Sequence, residues 1–278
     1  MNETHSFHID IQFQNFQYSR NHSLTFFIIL SSLRLPSLVC PRFPISYQEG
    51  DFMAIFGISD LHLSLNSNKP MDVFPGWNDY VERVASHWKR TVREEDTVVL
   101  PGDLSWALKL EEAERDIAFL HSLPGRKIIL KGNHDLWWGT MNKLQLFLSK
   151  HDFSSVTPLY HTAIEVGDYA ICGTRGWDYD AADDEKVLMR EVGRLRVALE
   201  QAVSTGKTPL VFLHFPPAYG NYVCRPMMDV LHEFDIRQVY HGHLHGAGSQ
   251  FALFECEGIE LKLLSCDRLQ FQPVKIAD

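Results

Sequence analysis

The chain has no Cys-x-x-Cys pair, no internal repeat, no low-complexity linker and no uninterrupted apolar run long enough to span a bilayer. Its five cysteines (Cys40, Cys172, Cys224, Cys256 and Cys266) are scattered and odd in number, which argues against a disulfide framework and for reduced thiols in the cytoplasm. Positive charge is scarce: 26 Lys and Arg stand against 35 Asp and Glu, and the net charge of -9 would repel a phosphate backbone, so stable nucleic-acid binding is not expected. Hydrophobic residues at 45% and charged residues at 22% exclude a fibrous or disordered chain. At roughly 100 to 200 residues per domain, the 278 residues encode one large domain or two small ones.

Residues 1–52 differ from the rest. They contain no Lys and one Gly, Gly50, yet hold seven of the 18 Phe without any regular period. The apolar stretch 24–39 is interrupted by Arg34 and Pro36, is followed by no Ala-x-Ala site, and is too short to cross a membrane. Residues 53–59 (MAIFGIS) make a clean apolar first strand instead. Just upstream, Gln48, Glu49 and Gly50 admit codons containing a purine-rich bacterial ribosome-binding sequence. We therefore read residues 1–52 as a poorly ordered extension or a mis-called start, and residues 53–278 as one α/β domain.

Apolar runs at 97–100, 127–130, 169–172, 210–213 and 236–240 read as buried strands. Helical periods occupy 77–93, 108–123, 140–149 and 183–203, the last with Asp183 and Asp184 suited to its N-terminus. Residues 251–255 and 259–264 flank Gly258 as a hairpin. In α/β folds, functional side chains collect beyond the carboxyl ends of strands. Those positions carry Asp60 and His62; Gly102 and Asp103; Gly132, Asn133, His134 and Asp135; His214; and His241, Gly242, His243 and His245. Carboxylate, amide and imidazole donors suit borderline divalent metals, and five strand tips delivering them to one rim is hard to assign to packing.

The five blocks Asp-x-His, Gly-Asp, Gly-Asn-His-Asp, His and Gly-His-x-His, in this order from Asp60 to His245, resemble the calcineurin-like metallophosphoesterase superfamily. The resemblance implies an α/β fold, a four-layer αββα sandwich of two mixed β-sheets flanked by helices. It also implies two divalent metal ions, with Asp60, His62, Asp103 and His245 holding one and Asp103, Asn133, His214 and His243 the other. Mixed oxygen and nitrogen donors admit Mn, Fe, Zn, Co or Ni. The implied reaction is hydrolysis of a phosphomonoester or phosphodiester in a small phosphorylated substrate by a metal-bridging hydroxide. His134 would contact phosphate and protonate the leaving oxygen, with Asp135 orienting its ring and supporting its charged form.

Softer candidates for substrate binding are Arg175, whose fork suits phosphate, Trp137, next to Trp138, as an aromatic wall, and Tyr219 and Arg225 on the loop after His214. Two other functions stand as alternatives. A serine/threonine-type protein phosphatase would carry an arginine after its Gly-Asp block, where residues 102–107 here read GDLSWA. A non-catalytic metal-binding scaffold for protein partners would typically lack ligands or the His of the third block, all of which are present. Oligomeric state is not legible in the sequence.

The composition of residues 1–52 offers no register for packing, so their deletion is expected to leave both the melting temperature and the hydrolytic activity unchanged. Aggregation of a protein that starts at Met53 would show the segment to be structural.

Overall fold

The computed structural model describes residues 53–177 and 185–278. The expectations for residues 1–52 and for a helix start at Asp183 and Asp184 lie outside the described residues. In chain order the first half comprises β1 (Ile55–Gly57), α1 (Tyr80–Thr91), β2 (Thr97–Leu100), α2 (Glu114–Ser122), β3 (Arg126–Ile129), α3 (Met141–Lys150) and β4 (Val156–Pro158). The second half comprises β5 (Ala163–Val166), β6 (Tyr169–Thr174), α4 (Glu185–Ser204), β7 (Thr208–Leu213), β8 (Ala218–Tyr219), β9 (Tyr222–Val223), α5 (Arg225–Glu233), β10 (Gln238–His241), β11 (Glu255–Cys256), β12 (Ile259–Leu263) and β13 (Val274–Ala277).

Two mixed sheets result. The first has the order β13-β1-β2-β3-β4, parallel except for β13; the second has the order β11-β12-β10-β7-β6-β5, with β5 and β11 antiparallel at its edges. Strand side chains alternate between faces, and here both faces are covered, which is why the strands read as continuous apolar runs. On the first sheet, Phe56, Val98, Leu100 and Ile129 pack with Val84 and Trp88 of α1, Ile117 and Leu120 of α2, and Leu144 of α3. The opposite faces supply Ile55, Val99 and Ile128, which meet Ile171, Phe212 and Tyr240 of the second sheet. The far side of that sheet, with Cys172, Val211, Leu213 and Val239, is covered by Leu195 and Leu199 of α4 and Met228 and Leu231 of α5. The fold is the expected αββα sandwich.

Helix boundaries are tighter than the apolar periodicity predicts. α1 begins at Tyr80 rather than residue 77 because Asp79 is in the left-handed region, at φ 50°, which ends helical continuation backwards. α2 begins at Glu114 rather than residue 108, since residues 108–113 form turns in which the Leu108 amide donates to the Glu112 carboxylate. Thr140 caps α3 by accepting from the Lys143 amide at 3.4 Å. The hairpin around Gly258 is shorter than expected: β11 contributes only Glu255 and Cys256, and Gly246–Phe251 forms a 3₁₀ turn. Helix α5 and the edge strands β4, β5 and β13 were not among the elements expected from the sequence and emerge only in the structure. Among the described residues, no helix is long and apolar enough to cross a membrane.

Phe212 is fully buried between the two sheets, its ring stacked at 5.1 Å on Tyr240. Phe212→Ala should therefore lower unfolding free energy by about 3 to 5 kcal/mol, read from urea unfolding, because a close-packed layer cannot collapse onto the void.

Candidate metal centre

Five strand ends from both sheets converge. β1, β2 and β3 of the first sheet lead into Asp60 and His62, Asp103, and Asn133; β7 and β10 of the second lead into His214, and into His243 and His245. The loops run side by side: the Asp60 amide donates to the Gly102 carbonyl at 3.1 Å and the His62 amide to the Asp103 carbonyl at 3.0 Å. Asp60, His62, Asp103 and His243 all adopt positive φ, between 46° and 71°, an uncommon state for residues with a Cβ. Four such residues in one cluster mark a site whose side-chain directions are held by the surrounding structure.

Two glycines in the motifs are explained by close approach. A Cβ on Gly132 would lie 2.1 Å from Asp103 Oδ1, and one on Gly242 would lie 2.1 Å from Ser59 Oγ and 2.6 Å from Asp60 Oδ2. Larger residues at either position would push a carboxylate out of place.

The side chains meet at short range. His62 Nε2 and His245 Nε2 are 3.1 Å apart. Asn133 Oδ1 lies 2.6 Å from His214 Nε2 and 3.2 Å from His243 Nδ1. Asp103 Oδ2 is 3.8 Å from His62 Nε2 and 3.5 Å from His214 Nε2. It is buried and receives no hydrogen bond, an arrangement that costs free energy unless a cation completes it. Two groups, Asp60 with His62 and His245, and Asp60 with Asp103 and His214, each bring ligand atoms within 4.8 Å of one another. The donor set thus fits divalent cations.

Electrostatics agree. Burial, with Asp135 and Asp60 adding to it, pushes the Asp103 carboxyl up to about 9. Burial raises Asp60 to about 6, against the opposing His245 charge and hydrogen bonds from Ser59, Ser265 and the His243 amide. Burial also holds His62 and His214 well below the ordinary histidine range, which leaves their nitrogens neutral and ready to donate electron pairs.

Asp135 does not orient the His134 ring. Its fully buried carboxylate accepts from the amides of Asp103 at 2.8 Å, Leu104 at 2.9 Å, Ser105 at 3.2 Å and Gly132 at 2.8 Å, and from Trp137 Nε1 at 3.0 Å. It ties the loop after β2 to the turn after β3. His134 is half-buried; its amide donates to Asp103 Oδ1 at 2.8 Å, and its ring centroid lies 4.4 Å from Trp106 and 5.5 Å from His62. Burial, then His245 and Lys69, lower its pKa, so the neutral imidazole is favoured.

The softer candidates separate. Trp137 is 2% exposed and packs in the core beneath α3, so it does not wall the site. Arg225 is bound in two-pronged fashion to Glu257 and is committed to that ion pair. Tyr219 sits in the β8–β9 hairpin beside Tyr222, and bridges to Ala252. Arg175 has its guanidinium 5.9 Å from the Phe215 ring, which lies 4.5 Å from His243. Sequence reasoning missed an aromatic residue that borders the centre: Trp106 stacks on His62 at 4.7 Å and carries Lys69 Nζ 4.8 Å from its centroid. Its position three residues after Asp103 was the available signal. A cavity of about 510 Å³ lined by Met71, Phe74, Trp77 and His245 opens beside it.

No curated protein matches the chain. Among solved structures, a protein of unknown function from Aquifex aeolicus is 17% identical with TM-score 0.47, over 81% of this chain and 96% of its own. The phosphopantetheinyl hydrolase of Mycobacterium tuberculosis is 13% identical with TM-score 0.47, over 80% and 95%. An archaeal phosphodiesterase is 16% identical with TM-score 0.37, over 81% and 100%. The weight rests on sequence: the family model of calcineurin-like phosphoesterases matches residues 53–247, and the chain belongs to that family of metal-dependent phosphohydrolases.

Proposed function

We propose that the protein hydrolyses a phosphomonoester or phosphodiester of a small molecule at a two-metal centre, with Asp60, His62, Asp103 and His245 holding one divalent ion and Asp103, Asn133, His214 and His243 the other. The observation that carries this reading is Asp103 Oδ2, buried without a hydrogen bond between the imidazoles of His62 and His214, where a ligand shared by two cations belongs. Two such cations would neutralise phosphate charge and lower the pKa of bound water from 15.7 toward about 7.

The chain supplies the rest. Asp135 keeps Asp103 aimed by holding its backbone amide, and His243 and Ser265 keep Asp60 aimed by donating to its carboxylate. The rigid frame fixes the reacting groups in advance of substrate, which is worth more than any single contact because no reorganisation is needed during reaction. His134 stands at the rim beside Trp106. Its neutral ring keeps one N–H, which suits a hydrogen bond to a phosphate oxygen or to the departing oxygen as the P–O bond breaks.

Asp103→Asn should lose most bound metal and nearly all turnover, measured by elemental analysis and by hydrolysis of a chromogenic phosphate ester. In the native protein, metal uptake should release protons, because burial holds Asp103 up to about 9 and Asp60 to about 6; apparent affinity should therefore climb between pH 6 and pH 9. Full metal occupancy with native activity in Asp103→Asn would remove the assignment. Metal binding without turnover of any ester would favour a scaffold.

His134→Ala should keep both metals and lose kcat, by about 10²- to 10⁴-fold for alkyl esters if the ring assists the leaving oxygen. Activated aryl esters, which need less help, should lose less. Equal losses with metals intact would make His134 a phosphate-positioning residue.

A further inference from the structure

Beyond the metal rim lies a second cavity of about 240 Å³, lined by Lys131, Arg175, Arg190 and Arg194 together with His161 and Glu191. That volume is below the roughly 300 to 1,000 Å³ of sites that enclose a drug-sized ligand, and suits a group the size of a phosphate. In a chain of net charge -9, three arginines and a lysine around one small cavity are out of proportion to the surface as a whole.

Among the described residues, one of these four charges, Arg194, is paired with a carboxylate, Glu191. Glu191 is the one carboxylate lining the cavity; it is 2% exposed and its oxygens accept from Thr174 Oγ1 at 2.6 Å and from Arg194. Lys131 Nζ donates to the Trp138 carbonyl at 3.2 Å, a neutral partner. Among the described residues, Arg175 and Arg190 have no carboxylate partner. Arg190 and Arg194 are four apart on α4, and like charges at this spacing disfavour a helix by a few tenths of a kcal/mol rather than stabilise it. A fold that gathers such charges around a hollow is complementary to an anion, and guanidinium forks match its oxygens in two-pronged fashion.

The cavity adjoins the metal centre through two residues. Lys131 precedes the Gly132–Asp135 turn directly. Arg175 lies 5.9 Å from the Phe215 ring, its carbonyl accepts the Phe215 amide at 2.8 Å, and Phe215 follows His214 and packs 4.5 Å from His243. One aromatic ring therefore separates the cationic cavity from the proposed ligands.

From this placement we propose that the cavity is a binding subsite for a second anionic group of the substrate, held by Arg175, Arg190 and Lys131. The substrate class is then a phosphate ester that carries another phosphate, or a similar oxyanion, joined to the scissile phosphate through a short spacer such as a sugar. This rests on the phosphohydrolase reading above. Selectivity comes from charge: a substrate lacking the second anion gains nothing from the guanidinium forks.

Two measurements on the full chain test the subsite and keep its failure apart from failure of the phosphohydrolase reading. In the first, protein stripped of metal with a chelator is titrated with inorganic phosphate at low salt by calorimetry. Saturable binding is expected, weakened about tenfold or more by Arg175→Ala and by Arg190→Glu, as befits loss of a charge-assisted hydrogen bond. Arg190 is exposed, so its variant should fold whatever becomes of the half-buried Arg175. In the second, manganese-loaded protein is assayed with a sugar bisphosphate and the matching monophosphate. The bisphosphate should show a KM about tenfold lower than the monophosphate, and Arg190→Glu should erase that ratio. Phosphate binding that is absent, or unchanged by both variants, overturns the proposal. Phosphate binding without preference for the bisphosphate makes the cavity a site for a separate anion and overturns the substrate assignment. Variant-sensitive phosphate binding with no turnover of either ester supports the anion pocket and removes the phosphohydrolase reading alone.

Discussion

Much of the centre's geometry depends on one buried carboxylate that is not itself among the proposed ligands. Asp135 takes hydrogen bonds from three successive amides after β2, from the Gly132 amide after β3 and from an indole in the helical layer. A carboxylate buried in this way is costly unless its oxygens are fully used, and here they are. The result is that two parallel strands end in loops that cannot move independently. Asp103 is thereby held at φ 52° with one oxygen on the His134 amide and the other turned toward two imidazoles.

That arrangement is expensive by itself. Non-glycine residues in the left-handed region cost on the order of 1 to 3 kcal/mol each, and four of the proposed ligands are in it. Asp60 and Asp103 are both buried, and burial raises each carboxyl, with Asp135 and Asp60 adding to the rise at Asp103. Three apolar layers, with α1 to α3 outside the first sheet, α4 and α5 outside the second, and Phe212 and Ile171 between, provide the stability that sustains it. The same features that weigh against the fold without cations favour it with them, since divalent ions reverse the sign of carboxylate crowding and neutral histidines are the form that binds metal.

How much of this was legible depends on the range of the interactions. The ligand motifs could be read because each is local: a strand of apolar residues, a glycine where the backbone must pass close, and a donor at the tip, as in Gly132–Asn133 and Gly242–His243. Asp135 was read as a partner of its neighbour His134, yet its carboxylate reaches back some thirty residues in sequence to the Asp103 loop. Trp137 looked like a wall because it follows the motif, but its ring turns into the core, while Trp106, on another loop, stacks on His62. Arg225 looked available until Glu257 came across from the β11–β12 turn. In each case a residue's partner is distant in sequence, and one chain's pattern does not contain that pairing.

The sequence by itself determined the fold class, the family and the proposed donor set, because continuous apolar runs, helical apolar periods and the Asp, Asn and His blocks are properties of short segments whose chemistry does not depend on what packs against them. Only the tertiary structure decided which side chains share a volume: that Asp103 faces two histidines, that Asp135 is a tie rather than an acid–base partner, and that Lys131, Arg175, Arg190 and Arg194 surround one cavity. Charges from three segments act on one anion only if sheet order and helix placement bring them together, and that placement is fixed by burial of apolar layers far from the charges themselves.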